Sequence, residues 1–350
     1  MRPVVLALAL AACGSPHGTT GDGGGDDVDA ATMTADANVH GTTAITIIVE
    51  PDGNDAKQLA DAINAATTSI DVTMYEMSND SIIGALVARA KAHVPVRVIL
   101  DGSTTNKSFN TPAKTSLTTA GATVVWSNPS FTYTHEKCII IDGTSAWIMT
   151  MNATGTAPSE NREYLALDTD AADVTEAEAV FAADLAMHAI NPSGALVVAN
   201  SNARADLTAL INASTTTLDI EGEEFSDLYT GGIVDSAVTA AHRGVKVRVI
   251  IGNSSPDQTS ISRVKAAGGK VVVTGPMSGN GTMTNPFIHA KAIVIDCSGT
   301  TCARGYVGSE NFSAGSLGYN RELGVIFTVP AELAKVETAI STDFAAGVAQ

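Results

Sequence analysis

The feature that most constrains this chain is an eight-residue phrase written twice. It reads His135-Glu136-Lys137-Cys138-Ile139-Ile140-Ile141-Asp142, then His289-Ala290-Lys291-Ala292-Ile293-Val294-Ile295-Asp296. Each copy is His-x-Lys-x-x-x-x-Asp inside an apolar, β-branched run, which is the pattern of a buried strand. Residues two apart on a strand share a face, so each His should point the same way as its Lys. The Asp, seven positions on, should stand at the strand end or on the other face.

The repetition reaches beyond the phrase. Thr68-Ser69-Ile70-Asp71 answers Thr216-Thr217-Leu218-Asp219 at an offset of 148, and the two histidines are 154 apart. Asn161-Arg162-Glu163 answers Asn320-Arg321-Glu322 at 159, a drift that loop-length differences between duplicated domains produce. In both halves apolar runs of strand length alternate with helical spacing, as in Lys57–Ala66 (Leu59, Ala62, Ile63, Ala66) before Ser69–Tyr75. The pattern predicts an α/β fold: two tandem domains, residues 44–190 and 195–350, related by a pseudo-dyad, with mixed sheets flanked by helices. A hinge is expected near Asn191-Pro192-Ser193-Gly194.

The N-terminus carries a different message. Arg2 precedes a short apolar stretch ending Leu10-Ala11-Ala12-Cys13-Gly14, which is similar to the signal and lipobox of bacterial lipoproteins. That resemblance implies a signal over residues 1–13, acylation of Cys13 and a protein anchored in the bacterial cell envelope by lipid, a plain secreted form being the alternative. Residues 14–43, rich in Gly, Thr and Asp, lack the apolar surface to offset ordering entropy and read as a flexible tether.

A net charge of −17 argues against non-specific gripping of nucleic acid, which needs a basic surface. Any cations that bind an anion must therefore be local. Of the four cysteines, Cys138 reads as a small buried hydrophobe. Cys297 and Cys302 flank Ser-Gly-Thr-Thr and, in an exported protein, are expected to close a hairpin as a disulfide.

Taken together, the two motifs make the chain resemble the phospholipase D superfamily, whose signature is His-x-Lys-x4-Asp followed by Gly-Ser-x-Asn. The second copy follows it through Gly308-Ser309-Glu310-Asn311; the first keeps Asn152 but has Thr150-Met151 where Gly-Ser is expected. The resemblance covers residue 44 to the C-terminus. It implies a two-step reaction in which one His attacks phosphorus and the other acts as acid, then base. By that analogy His135 is the nucleophile and His289 the acid/base. Lys137 and Lys291 are expected to stabilise the phosphoryl oxygens, helped by Asn152, Asn311 and Ser309. No metal or other cofactor is called for, since the lysines supply the positive charge. Glu163 and Glu322 occupy the family's place for the carboxylates that orient the imidazoles, with crossed pairing expected: His135 with Glu322, His289 with Glu163. Asp142 and Asp296 are expected to brace the backbone of the site.

Around this set, Glu76 and Glu224 stand at matching positions and either line the cleft or make structural hydrogen bonds. Tyr133, Phe131 and Phe287 precede the motif strands and could form an apolar mouth or simply core. Arg162 and Arg321 are expected in ion pairs. His17, His40, His93, His188 and His242 lack motif context. The expected function is a phosphodiesterase hydrolysing phospholipid head groups, acting as a monomer with no obligatory nucleic acid. The alternatives are a nuclease and a phosphatidyl transferase of the cardiolipin synthase type.

Overall fold

Duplication in the sequence becomes two eight-stranded sheets facing each other. The computed structural model describes residues 41–192, 194–253, 256–277 and 279–350. Cys13, His17, His40 and most of the expected tether lie outside the described residues, as does Ser193.

The first half runs β1 (Ile45–Glu50), α1 (Lys57–Ala65), β2 (Ile70–Met74), α2 (Asp80–Lys91), β3 (Val96–Leu100) and α3 (Lys107–Thr119). It continues with β4 (Thr123–Trp126), β5 (Lys137–Ile141), β6 (Ser145–Met149), α4 (Ala157–Glu160), β7 (Asn161–Asp168) and α5 (Ala171–Leu185). The second half runs β8 (Leu196–Val198), α6 (Ala203–Asn212), β9 (Thr217–Gly222), α7 (Ile233–His242), β10 (Lys246–Gly252), α8 (Gln258–Ala266) and β11 (Lys270–Thr274). After β12 (Phe287–Ile288) come β13 (Lys291–Ile295), β14 (Arg304–Gly308), α9 (Ala314–Tyr319), β15 (Leu323–Phe327), α10 (Pro330–Ala346) and β16 (Val348–Ala349).

The strand order is β1-β7-β6-β5-β2-β3-β4 in one sheet and β8-β15-β14-β13-β9-β10-β11-β16 in the other. In each, three parallel strands joined through helices continue into an antiparallel meander. Strands at the centre of a sheet covered on both faces have no side open to solvent, which is why β2, β5 and β13 are buried at every position. Helices α1–α3 cover the outer face of the first sheet and α6–α8 that of the second. Between the sheets lies a shared core in which Val180 and Phe181 of α5 and Leu333, Val336 and Ile340 of α10 join strand residues from both halves.

The halves also exchange backbone. β12 leaves its own sheet to pair in parallel with β7, Phe287 opposite Asn161 and Ile288 opposite Arg162. The equivalent segment of the first half does the same, Thr134 bridging to Arg321. Arg162 Nε meets Asp343 Oδ2 of α10 at 2.6 Å, and Arg321 Nε meets Asp184 Oδ1 of α5 at 3.0 Å, so each arginine ties its segment to the other half's last helix.

Two points differ from the sequence reading. Thr42 belongs to the fold and not to a tether: it is buried, its amide donates to Ile326 O and its carbonyl accepts from Thr328 N. Sequence reading missed β8, a three-residue edge strand too short to show a period.

Candidate active site

Both motif histidines sit just before their strands, where β5 and β13 open onto a cleft of about 480 Å³. Its walls include His135, His289, Asn152, Asn311, Tyr75, Tyr133, Glu76, Glu223 and Glu224. The backbone exchange decides how the imidazoles are held. Because residue 134 pairs with Arg321, and Ile288 with Arg162, each histidine arrives beside the glutamate of the opposite half. His135 Nδ1 lies 2.5 Å from Glu322 Oε2, and His289 Nδ1 lies 2.8 Å from Glu163 Oε1.

Both glutamates are fully buried and fixed by neighbours. Asn161 Nδ2 donates to Glu163 at 3.0 Å and Asn320 Nδ2 to Glu322 at the same distance; Ser316 Oγ adds a bond to Glu322 at 2.6 Å. Sequence reading missed these amides. Their signal was available, since an Asn stands two residues before each orienting Glu. Burial pushes the His135 imidazole down to about 4, against the pull of the Glu322 carboxylate. A neutral ring that donates from Nδ1 to Glu322 keeps its Nε2 lone pair free for attack.

Lys137 and Lys291 are completely buried beneath the cleft, each donating to the carbonyl of its own histidine at 2.5 Å. The i, i+2 spacing predicts this proximity. Burial pushes Lys137 down to about 7. Lys137 Nζ lies 5.0 Å from the centre of the Tyr75 ring, which also stands edge-on to His135 at 4.5 Å between centroids.

The second lysine has a different neighbour. Lys291 Nζ reaches Glu223 Oε2 at 3.1 Å, and the same oxygen is 3.5 Å from His289 Nε2. Burial alone would raise Glu223; the Lys291 ammonium and the His289 ring override it and hold the carboxylate down at about 2. Neither Tyr75 nor Glu223 was singled out from the sequence, although each directly precedes an acid that was, Glu76 and Glu224. Both of those acids do line the cleft, and burial raises each above the usual carboxylate range.

Several expected roles move. Ser309 is fully buried and does not line the cleft; its Oγ accepts from Leu323 N at 3.0 Å. Thr150 Oγ1 accepts from Tyr164 N at 2.9 Å in the same way, so Met149-Thr150, rather than Thr150-Met151, stands at the Gly-Ser position. The hydroxyl is therefore kept in both halves. Gly308 is glycine because a Cβ there would strike Gly324 and the Tyr306 hydroxyl, a crowding that belongs to the second half alone.

Asp142 and Asp296 stand at the far ends of β5 and β13, seven residues or about 23 Å of extended chain from the histidines, so they do not brace the site. Asp142 accepts from the amides of Thr67, Thr68 and Ser69, and Asp296 from those of Thr215, Thr216 and Thr217. Phe287 is buried in β12 and stacks on His289 with centroids 6.4 Å apart, while Phe131 lies under the Arg321 guanidinium. Of the three aromatics, only Tyr133 lines the cleft, whose walls are mainly polar. Cys297 and Cys302 form a disulfide, and Cys138 is a buried free thiol. His93, His188 and His242 are exposed.

A family model described as the phospholipase D-like domain of cardiolipin synthase matches residues 59–185 and 207–344. The fold is similar to phosphatidylserine synthase from Haemophilus influenzae: TM-score 0.62, 13% identity, covering 89% of this chain and 88% of that one. It is also similar to polyphosphate kinase from Porphyromonas gingivalis: TM-score 0.64, 17% identity, covering 85% of this chain but only 46% of the kinase, less than half its length. No curated protein matches the sequence. With the family matched once in each half, and both matched segments building a single cleft, this chain belongs to the phospholipase D superfamily.

Proposed function

We propose that the protein is a phosphodiesterase that releases phospholipid head groups through a phosphohistidine on His135. The observation that carries this reading is the crossed pair of His–Glu contacts opening on one cleft, with a buried lysine under each histidine. In the first displacement the His135 Nε2 lone pair forms a bond to phosphorus. The bond from phosphorus to the leaving oxygen breaks, and that oxygen takes a proton from His289. In the second, His289 removes a proton from water, the water oxygen attacks phosphorus, and the P–N bond breaks to return His135. Lys137 and Lys291 balance the charge that builds on the phosphoryl oxygens, and burial strengthens that balance.

Glu76, Glu223 and Glu224 at the cleft, with the chain's net charge of −17, oppose a polyanion such as nucleic acid. Phosphatidylcholine and single-stranded DNA, assayed side by side with a chelator present, test the reading. Head-group release with intact DNA supports it, and cut DNA with intact lipid overturns it.

A second reading follows from the matched family, the phospholipase D-like domain of cardiolipin synthase: an alcohol instead of water takes the phosphoryl group from His135. Adding glycerol separates the two. Phosphatidylglycerol in place of phosphatidic acid identifies a transferase. Among the described residues no helix is long and apolar enough to cross a membrane. We assign attachment to acylated Cys13, which predicts that Cys13→Ala abolishes incorporation of labelled fatty acid.

A further inference from the structure

The two walls of the cleft differ where the repeat would have them match. Tyr75 and Glu223 occupy equivalent positions, 148 residues apart, just past the ends of β2 and β9. The Glu223 amide donates to Ala290 O at 3.0 Å, which anchors this residue beside the second motif. Its Oε2 then contacts Lys291 Nζ at 3.1 Å and stands 3.5 Å from His289 Nε2. Those are the groups that would hold a phosphoryl oxygen and protonate the leaving oxygen, so a fixed negative charge borders the phosphate seat.

We propose that Glu223 is a specificity-determining residue that sorts ligands by charge, admitting monoanionic phosphodiesters and expelling dianionic phosphomonoesters. The proposal rests on the reading above that the cleft binds a phosphodiester. Its physical basis is local charge. Glu223 sets a negative charge against Lys291 and His289, the two groups placed to meet the bound phosphate, so part of the positive charge that a second phosphate charge would need is already matched. The hydrolysis product is a monoester, whose second proton leaves at a pKa of about 6, so at neutral pH it carries nearly two charges. The surplus charge faces a carboxylate a few ångströms away in a poorly screened site, where repulsion is strong. Glu223 thereby speeds product departure and lowers product inhibition.

Inhibition of the full chain by three small anions at pH 7.5 tests the proposal. Dimethyl phosphate carries one charge, methyl phosphate nearly two, and methyl sulfate has the shape of methyl phosphate with one charge only. In Glu223→Gln, methyl phosphate should inhibit roughly tenfold more tightly or better. Dimethyl phosphate and methyl sulfate should change by less than about threefold on the same argument. Glu223→Asp, which keeps the charge, should keep the wild-type discrimination and guards against a folding defect. If Glu223→Gln shifts all three anions equally, or none, the charge filter is wrong while the phosphodiester reading stands. If no anion competes in either protein, and phosphatidylcholine and DNA both go uncut, both readings fall together.

Discussion

The two halves of the cleft share a skeleton and differ in its lining. On the first side Tyr75 covers His135 and Lys137, and that pair is desolvated, with the imidazole near 4 and the ammonium near 7. On the second side Glu223 faces Lys291 and His289, so His289 lies between two carboxylates, with Glu163 at Nδ1 and Glu223 near Nε2. A histidine flanked in this way is suited to carry a proton to a leaving group, and one kept neutral is suited to attack. The lesson is that duplication supplies paired groups, while an unmatched position such as Tyr75 against Glu223 gives the two histidines different surroundings.

The largest effects should come from removing the histidines, and they should differ in kind. His135→Ala and His289→Ala are each expected to lower kcat by about 10³-fold or more with folding kept, the size seen when a covalent nucleophile or its acid is removed. Only His289→Ala should accumulate a phosphoryl group on protein when the leaving group needs no protonation, such as p-nitrophenolate. Rapid acid-free quench and mass measurement check this, and a phosphoenzyme in His135→Ala alone would reverse the two roles.

Next come the orienting carboxylates. Glu322→Gln and Glu163→Gln are expected to lower kcat by about 10²–10⁴-fold, because an amide favours the wrong imidazole tautomer. Circular dichroism of the folded proteins and kcat on the same preparations decide the point. An unchanged kcat in either would sever that glutamate from the chemistry.

A pH profile then probes the first wall. kcat/KM should rise as pH climbs through about 4, where His135 loses its proton and becomes a nucleophile. It should fall as pH climbs past about 7, where Lys137 loses its charge. Glu223 helps hold the Lys137 proton, so Glu223→Gln should move the basic limb to lower pH. A basic limb that stays in place would separate the two walls electrostatically.

The smallest effect lies where the halves are alike. Asp142→Asn and Asp296→Asn each weaken a carboxylate held below its usual range by backbone amides, Thr68 foremost for Asp142 and Thr216 for Asp296. Each should cost about 1 kcal/mol of stability, reduced by solvent at these surface turns, and leave kcat unchanged. Because the folded carboxylate is the more acidic form, that contribution is present above pH 4 or so and fades as pH falls through its folded value. Thermal melts at pH 7 and pH 3 measure it, and unequal losses in the two mutants would break the symmetry assigned to this end of the strands.

Local sequence was enough for everything that repeats at short range. The His-x-Lys spacing, the apolar run behind it and the Asn-Arg-Glu triplets fixed strands, faces and candidate residues, because strand periodicity is a local property. The Cys297–Cys302 bridge was legible for the same reason, its partners being five residues apart. What stayed hidden were contacts made by folding. His135 and Glu322 are 187 residues apart, and His289 and Glu163 are 126 apart; family analogy suggested the pairing, but only strand exchange between the halves explains it. The equivalence of Thr150 with Ser309 was legible in the spacing, each standing two residues before its Asn (Asn152, Asn311), and the matching amides of Tyr164 and Leu323 agree with it. The position of Glu223 was beyond sequence reasoning for a related reason. A carboxylate in a string of acids acquires its meaning from the lysine and histidine that folding sets against it, and those lie more than sixty residues farther along the chain.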